Sequence, residues 1–168
     1  MARDILFQED SATRDFKFDT KVAEVFDDMV GRSVPLYAEL QRMLADLSLQ
    51  FTPAQDGRIC DLGCSTGTTI DLILSNPSCP SSAHAFGVDN APAMLDQARE
   101  KLASHVKAHR VTLITADLDG DLQLPSVNVV LMNWTLQFVR PIHREGLLRR
   151  IFARWSGCMG AFQFSPSA

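Results

Sequence analysis

The sequence predicts an α/β fold with a mostly parallel sheet and helices on both faces. Three observations carry this. Short apolar runs of strand length alternate with longer segments of helical spacing. A small-residue turn, Gly63-Cys-Ser-Thr-Gly67, joins the first such run to a helix. Each run ends on a polar residue, where ligands collect in open α/β sheets.

Before the first strand lie polar residues 1–18, with Phe7, Phe16 and Phe18 as anchors. Asp19 or Thr20 caps a helix reaching about Val30, with Val22, Val25, Phe26 and Met29 on one face. Pro35 opens a second helix at its first turn, with the stripe Leu36, Leu40, Met43, Leu44 and Leu47 inward. Residues 53–57 are a loop.

The first strand spans 58–62, and a helix follows over 68–75. After a Pro- and Ser-rich loop over 76–82, the second strand spans 84–88 and ends at Asp89. Pro92 starts a helix with Met94, Leu95, Ala98 and Leu102 buried. The third strand spans 111–115, ended by Asp117. The fourth spans 127–132, ended by Asn133. Residues 140–154 are helical with Ile142, Leu147, Leu148 and Ile151 inward, and 161–164 starts a fifth strand. Trp134 and Phe138 read as core. The expected organisation is one domain: a helical segment over 1–50, a sheet-based core over 57–154 and a tail over 155–168.

Composition narrows function. Of 168 residues, 46% are hydrophobic and 21% charged, as in ordinary globular proteins. A net charge of -4 disfavours a direct grip on nucleic acid. No apolar run has membrane-span or signal-peptide length, so a cytoplasmic location is expected. Cys60, Cys64, Cys79 and Cys158 contain no Cys-x-x-Cys pair, and they read as structural thiols without a metal. Asp117, Asp119 and Asp121 do not make a calcium loop, because Gly120 is misplaced and the closing Glu is absent. His84, His105, His109 and His143 form no base–nucleophile pattern.

The strand ends describe a ligand. The turn after the first strand lacks both the Gly-x-Gly-x-x-Gly spacing and the Lys of a phosphate loop. Gly63 leaves room, and Ser65 offers a hydroxyl. Asp89 suits ribose hydroxyls and repels a ribose phosphate. Asp117 with Leu118 suits the amine and ring of adenine, and Asn133 the amino-acid end or reacting group. A nucleoside pocket without a phosphate cradle fits S-adenosylmethionine. Each piece has a plainer reading, as a tight turn or a helix cap; the case rests on their recurrence.

Several segments resemble one family. Phe18-Asp19, Val22-Ala-Glu-Val-Phe26, Asp28-Met29, Arg32-Ser-Val-Pro35, Asp61-Leu-Gly-Cys-Ser65, Asp89-Asn90 with Pro92-Ala-Met94, and Asn133 with Thr135-Leu-Gln-Phe138 are similar to the carboxy-S-adenosylmethionine synthases. The match covers roughly residues 3 to 154. It implies a Rossmann-like class I methyltransferase fold. The implied reaction takes S-adenosylmethionine and prephenate to carboxy-S-adenosylmethionine and phenylpyruvate, in service of tRNA wobble-uridine modification. A homodimer is implied too. By position, Tyr37, Gly63, Cys64, Ser65, Asp89, Asn90, Asp117, Leu118 and Asn133 line the cofactor site, and Asp61 joins them as the acid of the first strand end. Prephenate and the product carry carboxylates, so a basic residue is needed. Arg32 is the candidate within the resembling segments, against the plainer reading of a surface arginine.

After Arg154 the chain departs from the family pattern, with Trp155 to Ala168 in place of Leu-x-Pro-Gly-Gly and further strands. This reads as a truncated or frame-shifted copy that lacks the family's last strands and its carboxylate-binding Arg. Reduced or absent activity is the expectation. An ordinary small-molecule methyltransferase and a non-catalytic S-adenosylmethionine-binding remnant are the alternatives.

Overall fold

A computed structural model describes residues 20–120 and 122–156. Two helices come first, α1 (Thr20–Ser33) and α2 (Tyr37–Gln50). Strands and helices then alternate: β1 (Arg58–Leu62), α3 (Thr68–Ser75), β2 (His84–Asp89), α4 (Pro92–Lys101), α5 (Ala103–Lys107), β3 (Val111–Thr115), β4 (Val129–Leu131) and α6 (Pro141–Arg154).

The four strands form one parallel sheet in the order β3-β2-β1-β4. The chain steps outward from β1 through β2 to β3, then returns to pair β4 with the other side of β1. Strand order therefore reverses beside β1, and a crevice opens there beyond the carboxyl ends. Being paired on both sides, β1 is buried from Ile59 onward, with Ile59, Cys60 and Leu62 fully enclosed and Asp61 the polar exception.

Alternate residues of β1 enter opposite layers. Ile59 packs with Ala45 of α2, Ile73 of α3, and Val129 and Leu131 of β4. Next to that cluster, Leu95, Ala98 and Leu102 from α4 and its end close on Ile70, Leu74 and Ala85. On the other face, Cys60 and Leu62 join Val88, Leu118, Leu122, Leu124 and Leu147 of α6. Helices thus cover both faces, as the alternating pattern predicts. The expected spans over 58–62, 68–75 and 111–115 match the structure residue for residue.

Some expectations are corrected. Pro35 does not open α2; the chain turns there, Leu36 takes a left-handed φ of 57°, and the helix begins at Tyr37. The buried stripe of α2 is Gln41, Ala45 and Ser48, whereas Leu36, Met43 and Leu47 are exposed. Two stripes overlap in that sequence, and the packed one has small or satisfied polar groups: Ser48 Oγ donates to Leu44 O at 2.6 Å, and Thr69 Oγ1 donates to Gln41 Oε1 at 2.6 Å. Along α6, Leu147 is buried but Ile142 and Leu148 are exposed, because the helix lays only a narrow stripe on the sheet.

The fourth strand is shorter than the expected 127–132. Val127 instead bridges Trp155 on its outer side, and the chain turns at Trp134, whose φ is 52°. Trp134 and Phe138 are not core, being 38% and 66% exposed. The anchors at Phe7, Phe16 and Phe18, the cap at Asp19, Cys158 and the strand over 161–164 lie outside the described residues. No helix among the described residues is long and apolar enough to cross a membrane.

Candidate functional site

A cavity of about 380 Å³ opens at the carboxyl ends of the strands, roofed by the two N-terminal helices. All ten residues expected at a cofactor site line it: Tyr37, Asp61, Gly63, Cys64, Ser65, Asp89, Asn90, Asp117, Leu118 and Asn133. Arg32 does not line it. Its Nε lies 3.1 Å from Asp28 Oδ2, and its side chain is half exposed.

The turn after β1 shapes the floor. Gly63 N–H and Cys64 N–H both donate to Val88 O, at 2.8 and 3.0 Å, which folds the turn over the end of β2. Gly63 has φ +76°, and a Cβ there would lie 2.4 Å from Thr135 Oγ1. Only glycine permits this contact between the turn after β1 and the segment after β4. Ser65 is left-handed too, with φ 51°. Its N–H donates to Asp89 Oδ2 at 2.9 Å, while Ala91 N–H donates to Asp89 Oδ1 at 2.9 Å. These bonds aim the Asp89 carboxylate and leave lone pairs free for further donors.

Asp61 is the most unusual group. It is 2% exposed, and its Oδ1 has no hydrogen-bond partner. Burial, reinforced by the charge of Asp89, pushes its pKa up to about 7. Burial likewise pushes the Cys60 thiol up to about 12 and raises Cys64, so neither is an activated nucleophile. Asp61, Asp89, Asp117 and Asp119 all line the cavity, and no Lys, Arg or His does among the described residues. Such a wall favours a cation or a ligand rich in donors. No group of acids, histidines and cysteines suited to a metal occurs among the described residues.

The opposite wall is apolar: Phe26, Met29 and Val30 of α1, then Val34 and Tyr37. Tyr37 stacks on Trp134, and Phe138 lies further along the rim. Of these, only Tyr37 belongs to the expected site. On α1 an apolar stripe facing a cavity is indistinguishable from one facing a core. Thr66, Thr68 and Gln41 also line the space, without a sequence signal that marks them as site residues.

Comparison with known proteins agrees with this geometry. Residues 59–155 match the family model described as a methyltransferase domain. The chain is 46% identical over 152 residues to the carboxy-S-adenosyl-L-methionine synthase of Methylococcus capsulatus, covering 90% of this chain and 62% of that protein. It is 39% identical over 150 residues to the protein of that name from Wolinella succinogenes, covering 89% of this chain and 60% of that protein. The chain thus spans about 60% of the length of these relatives. Among solved structures, an O-methyltransferase family protein from Burkholderia thailandensis superposes with a TM-score of 0.65 at 19% identity, over 83% of this chain and 40% of that one. The S-adenosylmethionine-bound amino pentose methyltransferase CalS10 from Micromonospora echinaspora gives 0.57 at 19%, over 86% and 55%. With a class I fold, the turn after β1 and the cavity in their expected places, the chain belongs to the methyltransferase-domain family, and within it is similar to the carboxy-S-adenosylmethionine synthases.

Proposed function

We propose that the cavity binds S-adenosylmethionine. One observation carries the reading: the order of the strand ends matches the order of the ligand's parts. Across β3-β2-β1-β4 the cavity meets Asp117, Asp89, Asp61 with Gly63, and Asn133. In that order they suit the adenine amine, the ribose hydroxyls, the sulfonium with its amino acid, and the reacting group. No phosphate-binding cation interrupts the series among the described residues, and the ligand carries no phosphate. The unpartnered Asp61 Oδ1 gains a cationic or N–H partner when the ligand is bound.

The finer reading follows from the similarity to carboxy-S-adenosylmethionine synthases. S-adenosylmethionine and prephenate would give carboxy-S-adenosylmethionine and phenylpyruvate, the product serving tRNA wobble-uridine modification. The sulfonium acidifies its own methyl group. The hydroxide that prephenate sheds on decarboxylation would take up that methyl proton as water, and the ylide so formed would capture the carbon dioxide released with it. This chain's residues would bind, orient and exclude solvent. The apolar wall from Phe26 to Val34 dries the methyl, and the stacked Tyr37 and Trp134 close the rim.

A second reading is favoured by the cavity's charge. Four carboxylates and no cation suit the sulfonium but give the product's added carboxylate no partner among the described residues. By this reading the chain holds S-adenosylmethionine and turns it over slowly or not at all. Calorimetry with S-adenosylmethionine, then mass spectrometry after incubation with prephenate, separates the two. Binding with carboxylated product supports the synthase, and binding without product supports the non-catalytic reading. A methylated acceptor points to an ordinary methyltransferase. No binding refutes all three.

A further inference from the structure

Lys101 stands at the end of α4, behind the cavity rather than in it. Its ammonium has three hydrogens and meets three acceptors: Asp27 Oδ2 at 2.6 Å, Thr68 Oγ1 at 2.7 Å and Thr66 Oγ1 at 2.8 Å. The other oxygen of Asp27 accepts from Thr66 Oγ1 at 2.6 Å and Thr68 Oγ1 at 3.3 Å. Both charged side chains are about three-quarters buried, at 24% and 23% exposure. One closed network therefore ties α1, the turn after β1, the start of α3 and the end of α4.

Neither Lys101 nor Asp27 lines the cavity, but their neighbours do. Asp27 follows Phe26 and precedes Met29 and Val30, the α1 part of the apolar wall, while Thr66 and Thr68 stand on the side of β1. A second attachment of α1 is apolar: Val22 and Ala23 pack with Ala91 and Met94. A partly exposed ion pair adds little net stability but has strict geometry. We propose that Lys101 is a positioning residue: through Asp27, Thr66 and Thr68 it sets α1 and the threonine hydroxyls around the amino-acid end of the ligand. This rests on the reading that the cavity holds S-adenosylmethionine. The nucleoside end, at Asp89 and Asp117, meets the network only through the backbone, where Ser65, the donor to Asp89, precedes Thr66.

The test compares two ligands. S-adenosylmethionine has the nucleoside and the amino acid; 5′-methylthioadenosine has the nucleoside and sulfur alone. Calorimetry is run on the full chain and on Lys101→Met, which keeps the apolar stem. The expected result is a loss of roughly tenfold or more for S-adenosylmethionine, with 5′-methylthioadenosine changed by less than about threefold. A purely structural role would weaken both ligands together, and that outcome overturns the proposal, as does an unchanged affinity for S-adenosylmethionine. Should Lys101→Met fail to fold, Asp27→Asn makes the same separation with the side-chain shape retained. If the unaltered chain binds neither ligand, the functional reading fails first and this inference with it.

Discussion

The ring of Tyr37 lies stacked on that of Trp134, their centroids 5.6 Å apart and their planes 21° from parallel. The contact joins the first residue of α2 to the segment after β4, across the cavity mouth. Leu36 and Trp134, both left-handed, make the sharp turns that bring the rings together. Such a pair contributes about 0.5–1.5 kcal/mol beyond area burial. Tyr37→Leu is expected to lower thermal stability slightly, by about 1 kcal/mol, and to weaken S-adenosylmethionine binding by a larger factor. Calorimetry beside thermal melting checks this; equal losses in both would contradict the mouth-closing role.

Gly63→Ala should be severe. The left-handed φ costs about 1–3 kcal/mol for a residue with a Cβ, and the new methyl meets Thr135 Oγ1 at 2.4 Å and Cγ2 at 2.5 Å. Ligand binding is expected to disappear. Adding Thr135→Ala removes both of those atoms and should restore part of the stability, measured by denaturant melts. No recovery in the double variant would show that the clash is not the cause.

Asp61 predicts a pH dependence. Its carboxyl titrates near 7 in the folded chain, through burial first and Asp89 second, and in the ordinary carboxylate range when unfolded. Between those values the folded state holds the extra proton, so stability falls as pH rises. The penalty sets in as pH rises through about 4 and is complete once pH is well above 7, with an upper bound of about 4 kcal/mol. Asp61→Asn should flatten this part of the profile and raise the melting temperature at pH 8. A cationic ligand favours the ionised form, so S-adenosylmethionine affinity should rise toward pH 8 in the unaltered chain but not in Asp61→Asn.

Asp89→Ala should do more than remove the proposed ribose acceptor. Ser65 N–H and Ala91 N–H lose their partner, and Ser65 loses what holds it at φ 51°. Binding is expected to be lost, with amide exchange at Ser65 becoming fast. Asp89→Asn retains one acceptor oxygen and should be milder.

Much of this was legible in the sequence because the strands of a parallel sheet are short apolar runs whose ends are chemically marked. Asp89, Asp117 and Asn133 close or follow such runs and Asp61 stands one residue before the end of β1, so topology alone sends them to one crevice. What was illegible depended on packing partners far away in sequence. Gln41, Ala45 and Ser48 carry no hydrophobic signal, yet they are the side of α2 that meets α3. Trp134 and Phe138 are aromatic, which argues for burial until the turn after β4 sends them to the rim. Lys101 is an unremarkable helix-end lysine until α1 brings Asp27 to it.

The position of β1 between β2 and β4 has a consequence for how the protein is made. The cavity's floor is synthesised early, but its wall at Asn133 and Trp134 belongs to a segment that pairs with β1 only after β2 and β3 have been laid down. On the proposed reading, a ligand reaching from Asp117 to Asn133 finds its whole site only in a chain whose β4 has paired with β1.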